Sequence, residues 1–394
     1  MRFFLVIAVS VLISTGLRAS KVTVSLYALE LGASPAMVGL FAALYAIFPL
    51  ALALHAGRMT DSRGVFRPIM LGTTIMVAGA ALPILCTNLW ALAICASLIG
   101  LGHIYGHVAV HAFVGSSATG NDRTKHFGLL SLGASVAAFI GPASAGFAID
   151  GLGYRSAFLA VGLIAIVAAV LIFSLRGSLA SLHLSKPTDE TPKRTLDLLA
   201  SPELRRTMLL SAATLTGIEL FTFYFPIYGR SINLSASTIG MILAAYAVSA
   251  FIVRAFLHRI TARYREVSVL GVSLISAAVV YGAVPHIGSA VLLAVAAFLL
   301  GLGLGSAQPL TTVLTYNNAP PGRAGEALGL RLTVNKATQI SVPLMFGALG
   351  AAAGVAPVFW ATAVFLGVAG VLSLGRPVRS VAPPPERPAE EVAQ

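Results

Sequence analysis

The 394 residues are 57% hydrophobic and only 10% charged, with a formal net charge of +12, whereas a soluble domain carries about 25% charged residues. That composition excludes an ordinary soluble globular protein, and the placement of the basic residues argues against nucleic acid. Nineteen of the 26 Lys and Arg fall at the N-terminus, in alternate loops and in the C-terminal tail, while the intervening short loops hold only Arg155 and Arg230; this asymmetry is expected of a membrane-embedded chain with both termini in the cytoplasm.

A membrane-spanning helix needs about 20 apolar residues, and the first half offers six such stretches, at 3–30, 35–56, 68–87, 89–115, 127–149 and 155–175. The opening Met1-Arg2 followed by apolar residues has the look of a signal peptide. The apolar pattern, however, continues past Arg18 to Leu31 and returns in the second half, so it reads as a first span. A polar segment at 176–203 contains Pro187, Pro192 and seven charged residues between 186 and 203, and is expected to be a cytoplasmic linker. Six more spans are expected at 204–230, 236–257, 267–285, 289–316, 325–349 and 354–374. The tail at 375–394, with its VAPPPERPAEE run, cannot build a core and is expected to be disordered. Cys86 and Cys95 lie in or beside apolar runs and read as small hydrophobes. The expected architecture is an all-α membrane protein of twelve transmembrane helices, in two six-helix bundles at 1–175 and 204–374.

The halves repeat at an offset of 201 residues. Ser34 to Arg67 returns from Ser235, so that Gly39 maps to Gly240, Tyr45 to Tyr246, Arg58 to Arg259 and Thr60 to Thr261. Elsewhere Thr15-Gly16 maps to Thr216-Gly217, Tyr27 to Tyr228, Gly100 and Gly102 to Gly301 and Gly303, and Phe158 to Phe359. Gly128, Pro142 and Gly146 map to Gly329, Pro343 and Gly347. Parallel repeats of this size are a transporter architecture, with the site at the repeat interface near the bilayer midplane.

The loop from Gly57 to Arg67 resembles the G-x-L-x-D-x-x-G-R-K signature of the major facilitator superfamily, which lies between the second and third helices. Gly57, Asp61 and Gly64 match, Arg67 arrives slightly late, and Val65-Phe66 replace the basic pair. The resemblance covers all of the chain but its tail. It implies two bundles rocking about a central cavity, with Asp61 bracing one state against the start of the eleventh helix, where a carboxylate is favoured by the helix dipole; a solvated loop charge is the alternative. Gly141-Pro142-Ala143-Ser144-Ala145-Gly146 looks like the G-P-x-x-G-G antiporter motif, with Ala145 replacing a glycine. Its proline bends the helix and its glycines admit a close neighbour, a reading that competes with simple packing shared with Pro343. The motifs sit nearest the proton-coupled drug and metabolite antiporters. The arginine that usually precedes G-x-G in the fourth helix of those antiporters is absent: Ala96 stands there. Gly57, Asp61, Gly64, Arg67, Gly141, Pro142 and Gly146 are therefore the expected gating residues.

Ionisable groups at membrane depth cost about 2.5–3.5 kcal/mol each on insertion scales, so they are functional candidates. Arg18 and Glu219 are repeat equivalents on the first and seventh helices and are expected to face each other across the cavity, where opposite charges would pair. A static stabilising pair is the alternative. Arg254, close to the cytoplasmic end, reads as structural. His103, His107 and His111 recur every four residues on one face of the fourth helix. Metal binding, proton handling and polar packing compete there; no carboxylate or Cys partner lies nearby for a metal, and imidazole titrates near neutrality. His107 corresponds to Gln308, a hydrogen-bonding position in both halves. Arg331, Asn335 and Gln339 form a stripe with Lys336 beside it, expected to line the cavity or pack on the seventh helix.

Arg18, Lys21, Arg331 and Lys336 thus surround one acidic group, Glu219, a field that attracts organic anions or zwitterions and repels cations. Substrate binding is assigned to Arg18, Lys21, His103, His107, Gln308, Arg331, Asn335 and Lys336, and proton coupling to Glu219, His103 and His107. Tyr27, Tyr105, Phe221, Phe223, Tyr224 and Tyr228 either contact a ring-bearing substrate or simply pack. No Walker-type phosphate loop is present, so the energy source should be a gradient. The expected function is secondary transport of a small organic anion or amphipathic compound, proton-coupled and outward, across a bacterial inner membrane. Import of organic acids or chelator anions is the first alternative and a non-transporting sensor the second; no catalytic constellation supports an enzyme. The expected partners are a small-molecule substrate, protons and the bilayer, without nucleic acid, cofactor or metal, and the chain is expected to act as a monomer.

Overall fold

A computed structural model describes residues 2–116, 120–179, 195–320 and 323–374. The middle of the expected linker and the expected disordered tail lie outside the described residues. In a bilayer every backbone polar group must be satisfied within its own segment, which favours helices throughout. They are α1 (Arg2–Glu30), α2 (Pro35–Arg63), α3 (Phe66–Leu85) and α4 (Leu89–Ser116), then a continuous stretch, Gly120–Ser174. That stretch breaks at Gly153, where φ is +81°, into α5 (120–152) and α6 (154–174). After a short helical turn (Arg176–Leu179) and a 3-10 turn (Thr195–Ala200) come α7 (Pro202–Ser231), α8 (Ala236–Arg263), α9 (Glu266–Ala283), α10 (Ala290–Asn317), α11 (Ala324–Ala353) and α12 (Val355–Leu374). Among the described residues ten stretches are long and apolar enough to cross a membrane, one of them running through the break at Gly153, and α11 is not among the ten. Counting the broken stretch as two and adding α11 gives the expected twelve.

Corresponding helices start alike. Ser34 and Ser235 cap α2 and α8, their hydroxyls accepting from Met37 N and Thr238 N at 3.4 and 3.2 Å. Several expected helix ends need correction: the eighth helix runs to Arg263 rather than 257, and the fifth starts at Gly120 rather than 127. The second helix does not stop at 56: α2 runs on to Arg63, so Gly57, Arg58 and Asp61 are helical and the turn shrinks to Gly64 and Val65. Apolar residues mark where the membrane is, whereas the backbone ladder continues into water for as long as local bonds hold. Thr60 donates to Ala56 O at 2.8 Å, and the ladder ends where Gly64 adopts φ +74°.

Helices alternate between a near end, which holds the N-terminus and the Gly64 turn, and a far end, which holds the turns at Gly32, Gly153, Asn233 and Gly354. Within the halves α1 packs on the α5–α6 stretch and α3 on α4, as α8 packs on α10 and α9 on α12. Two seams join the halves, α2 against α11 and α5 against α8. Both are backbone-to-backbone contacts in the far half of the molecule. A Cβ on Gly39 would strike the carbonyl oxygen of Pro343, and one on Gly240 that of Pro142. Gly347 lies against Pro35 and Ala36, and Gly146 against Ala236 and Ser237. Each contact is its partner shifted by 201 residues, so the repeat seen in the sequence reappears as a two-fold relation between seams.

Candidate functional site

Between the seams, at mid-depth, α1, α4, α7 and α11 present charge to one another. Lys21 Nζ on α1 donates to Glu219 Oε2 on α7 at 3.5 Å, with side chains 32% and 12% exposed. The expected pair of repeat equivalents is thus replaced by a neighbour. Arg18, nearly one turn from Lys21 on the same helix face, feels the charges of Glu219 and Arg254 without reaching ion-pair distance. The 3.6-residue period makes the two positions alike in the sequence, because residues three apart share a helix face, and the approach of α7 selects Lys21. Lys336 on α11 donates to Gln339 Oε1 at 3.0 Å and lies within electrostatic reach of Glu219 and Lys21. One carboxylate therefore sits among three cations.

The histidines complete the wall. His103 lies within electrostatic reach of Lys336, Arg18 and Lys21, and His107 within reach of Lys336, so their face of α4 looks across to α1 and α11. Successive rings stand 5.3 and 3.9 Å apart from His103 to His107 to His111, and His111 Nδ1 bonds the carbonyl oxygen of His107 at 2.9 Å. His107 is exposed although its neighbours are interior charges. Together these groups line a charged chamber between the halves, closed off from the far end by the two seams. Among the described residues no group of three His, Cys, Asp or Glu is arranged to hold a metal ion.

Gly141 seats Arg18: a Cβ there would press on Arg18 Cβ, Thr15 O and Ala19 N at 2.8–3.1 Å. The Gly-Pro motif therefore touches two things at once, α1 with its arginine through Gly141, and α8 through the Pro142 carbonyl and Gly146.

Three residues expected on the wall pack within the second half instead. Arg331 is 6% exposed, and its Nη2 donates to Gln308 Oε1 at 2.7 Å, Gln308 O at 3.1 Å and Thr311 Oγ1 at 3.0 Å. Asn335, 9% exposed, accepts from Ser211 Oγ on α7 at 3.0 Å. A polar stripe avoids lipid as well by gripping neighbouring helices as by facing water, and here the grip prevails. Arg331 Nε and Gln308 Nε2 are left buried without a partner. Arg254 donates to Gly305 O at 2.9 Å and reaches Ser135 Oγ in the first half at 3.5 Å.

The aromatic residues belong to packing. Tyr27 stacks on Tyr154 at 4.6 Å, Tyr228 meets Phe359 at 5.2 Å, and Tyr105, Phe221, Phe223 and Tyr224 are buried. Two aromatics that the sequence reading left out of the site do belong beside it. Lys21 Nζ stands 5.9 Å from the Tyr45 ring centre, and Tyr45 OH donates to Ser20 Oγ at 3.1 Å. Tyr246, its repeat equivalent, is buried within reach of Arg18, Arg254 and Glu219. The 201-residue match already flagged both. Of the residues expected to act in gating at the near end, Asp61 and Arg67 are exposed, and Gly57 and Gly64 border them.

At the far end stand groups the sequence reading missed. Asp150 accepts from Ala236 N at 3.1 Å and Ser237 N at 2.7 Å, and Arg230 Nη2 meets Glu30 Oε2 at 2.6 Å. With Tyr154 they rim a cavity of about 280 Å³ floored by Leu26, Ile149, Leu234 and Ile239.

The Major Facilitator Superfamily profile matches residues 4–340 and 207–393. The multidrug resistance protein MdtG of Escherichia coli is 24% identical over 319 residues, covering 78% of this chain and 76% of the relative. Among solved structures, a POT family transporter in complex with 5-aminolevulinic acid aligns with TM-score 0.79 at 12% identity, covering 95% of each chain. A bacterial homologue of the human lysosomal transporter Spinster, inward-facing and occupied, aligns at 0.72 and 16% identity, covering 95% of this chain and 96% of that one.

Proposed function

The chain belongs to the major facilitator superfamily, and from that premise we propose that it exports a small organic anion, zwitterion or amphipathic compound in exchange for protons. The near end, where Lys and Arg concentrate, is read as cytoplasmic, which makes the described state the one shut toward the outside. The rocking units are residues 1–175 and 204–374, linked by 176–203. The multidrug-resistance relative MdtG and the Gly-Pro motif favour transport outward, and a charged site at the repeat interface is where a transporter of this architecture binds its substrate.

The observation that carries the reading is the Lys21–Glu219 contact amid the cationic excess of Arg18 and Lys336. A substrate carboxylate competes with Glu219 for Lys21, and Arg18 and Lys336 supply the rest of its field. If the substrate also carries an amine, that amine and a proton compete for Glu219, and such competition is what proton exchange requires. His103 and His107 line the path by which protons reach the chamber. Arg331, Gln308 and Asn335 hold α10, α11 and α7 together behind it. Asp61, which has no ion-pair or hydrogen-bond partner among the described residues, would take up its brace on α11 when the near end closes.

The cationic excess also favours a second reading. For a plain anion, protonating Glu219 frees Lys21 and strengthens binding, so proton and anion would travel together, inward. The sign of the pH effect separates the two. In proteoliposomes, export predicts that labelled zwitterions move against an imposed proton gradient and bind more weakly at pH 6 than at pH 8. Tighter anion binding at pH 6 with accumulation along the proton gradient selects import, and no gradient-driven flux of either class sinks both.

A further inference from the structure

The two seams match in backbone but not in charge. At the α2–α11 seam the residue in register with Asp150 is Ala351, and the first residue of α2 is Pro35, which has no N–H to give. At the α5–α8 seam the acceptor is Asp150 and the first residue of α8 is Ala236, whose N–H it takes together with that of Ser237. The acceptor and one of its two donors are present together on one seam and missing together on the other, where Ala36, the counterpart of Ser237, keeps its N–H but faces no carboxylate. The Glu30–Arg230 pair has no copy either, since Ser231 and Leu29 stand at the equivalent positions. Packing does not require these groups, because the opposite seam closes without them through Gly39, Pro343 and Gly347.

We propose that Asp150 is a positioning residue of the transport cycle: seated on the α8 N-terminus, it latches the far end shut and sets how often the chamber opens there. A carboxylate receiving two backbone N–H groups at a helix start is doubly favoured, by the bonds and by the helix dipole. Both donors belong to the other half, so the interaction exists only while that end is closed, and it stabilises that state alone. Glu30 and Arg230 act in the same direction from α1 and α7; they are about half exposed, at 47% and 48%, and Asp150 is exposed too, so what sets Asp150 apart is its grip on two backbone N–H groups at a helix start. Opening at the far end therefore releases α5 from α8, while α2 and α11 part without any such tie.

The inference rests on the alternating-access reading, and the experiment keeps the two apart. Spin labels at Thr87 and Gly288, exposed on far-end turns of the two halves, are placed in a background lacking Cys86 and Cys95 and read by pulsed EPR in lipid nanodiscs. Asp150→Asn should raise the ratio of long to short distances by about three- to tenfold, in line with the loss of a helix cap. Ala236→Pro, which removes one donor at a position where proline suits a helix start, should raise it by a smaller factor, and Asp150→Glu should restore part of the closed population. Gradient-driven flux shows separately whether the protein transports. Unchanged distances in both Asp150→Asn and Ala236→Pro, with flux intact, overturn the latch and leave transport standing. Absence of flux in the unaltered protein removes the reading beneath it.

Discussion

The seams and the chamber obey opposite rules. At the seams the halves are alike: glycine meets a proline carbonyl twice over, at Gly39 with Pro343 and at Gly240 with Pro142. In the chamber they are not. Arg18 faces across to its repeat equivalent Glu219, and His107 corresponds to Gln308. Lys336 corresponds to Ser135. Duplication supplied a frame that two copies can share, because backbone contacts ask only for small residues. The charged groups lie in positions where the copies have diverged, since a symmetric chamber would place like charges opposite one another and repel.

The sharpest test of that contrast is Glu219→Gln. It removes the lone carboxylate at depth, and proton-driven flux should fall by at least about 100-fold in proteoliposomes while the thermal unfolding temperature stays within a few degrees. A retained pH-driven rate would move the coupling elsewhere, to the histidines. Next come Arg18→Gln and Lys336→Gln, each expected to weaken binding of a carboxylate-bearing ligand by about tenfold, or about 1.4 kcal/mol, in calorimetric titration. Equal affinity for an uncharged analogue before and after substitution would show that charge, not shape, was lost. Last comes a loss read in stability rather than in transport, the most diagnostic of the frame: Gly39→Ala and Gly240→Ala should each destabilise by about 1–3 kcal/mol through overpacking. Matched losses in thermal unfolding support equivalent seams. A loss at one position only would break the symmetry on which the comparison stands.

Much of this was legible in the chain because repeats and membrane spans leave long-range marks. The offset that pairs Pro142 with Pro343 marked residues that lie on both seams, and the apolar stretches gave the number of helices. Depth was legible too: Lys21, Glu219, His103 and Lys336 were all expected inside and are found near one another. What the sequence could not convey is which of two adjacent charges makes a contact. Arg18 and Lys21 share a helix face, and only the approach of α7 decides between them. Nor could it separate a polar stripe that faces water from one that grips a neighbour, as Arg331 does on Gln308 and Thr311, because both avoid lipid equally well. The far-end groups escaped for a different reason. Asp150 looks like an ordinary helix-end acid until the bare amides of Ala236 and Ser237 are placed against it.

The polar load of α11 bears on how the protein is made. A guanidinium or ammonium group near the middle of a lone helix costs about 2.5–3.5 kcal/mol during insertion, and α11 carries Arg331 and Lys336 together with Asn335 and Gln339. Its bonding partners Gln308 and Thr311 are on the helix synthesised immediately before it, and Ser211 is on one made earlier still. The ribosome therefore delivers the hydrogen-bonding partners ahead of α11, whose polar groups can be satisfied by docking on helices already made.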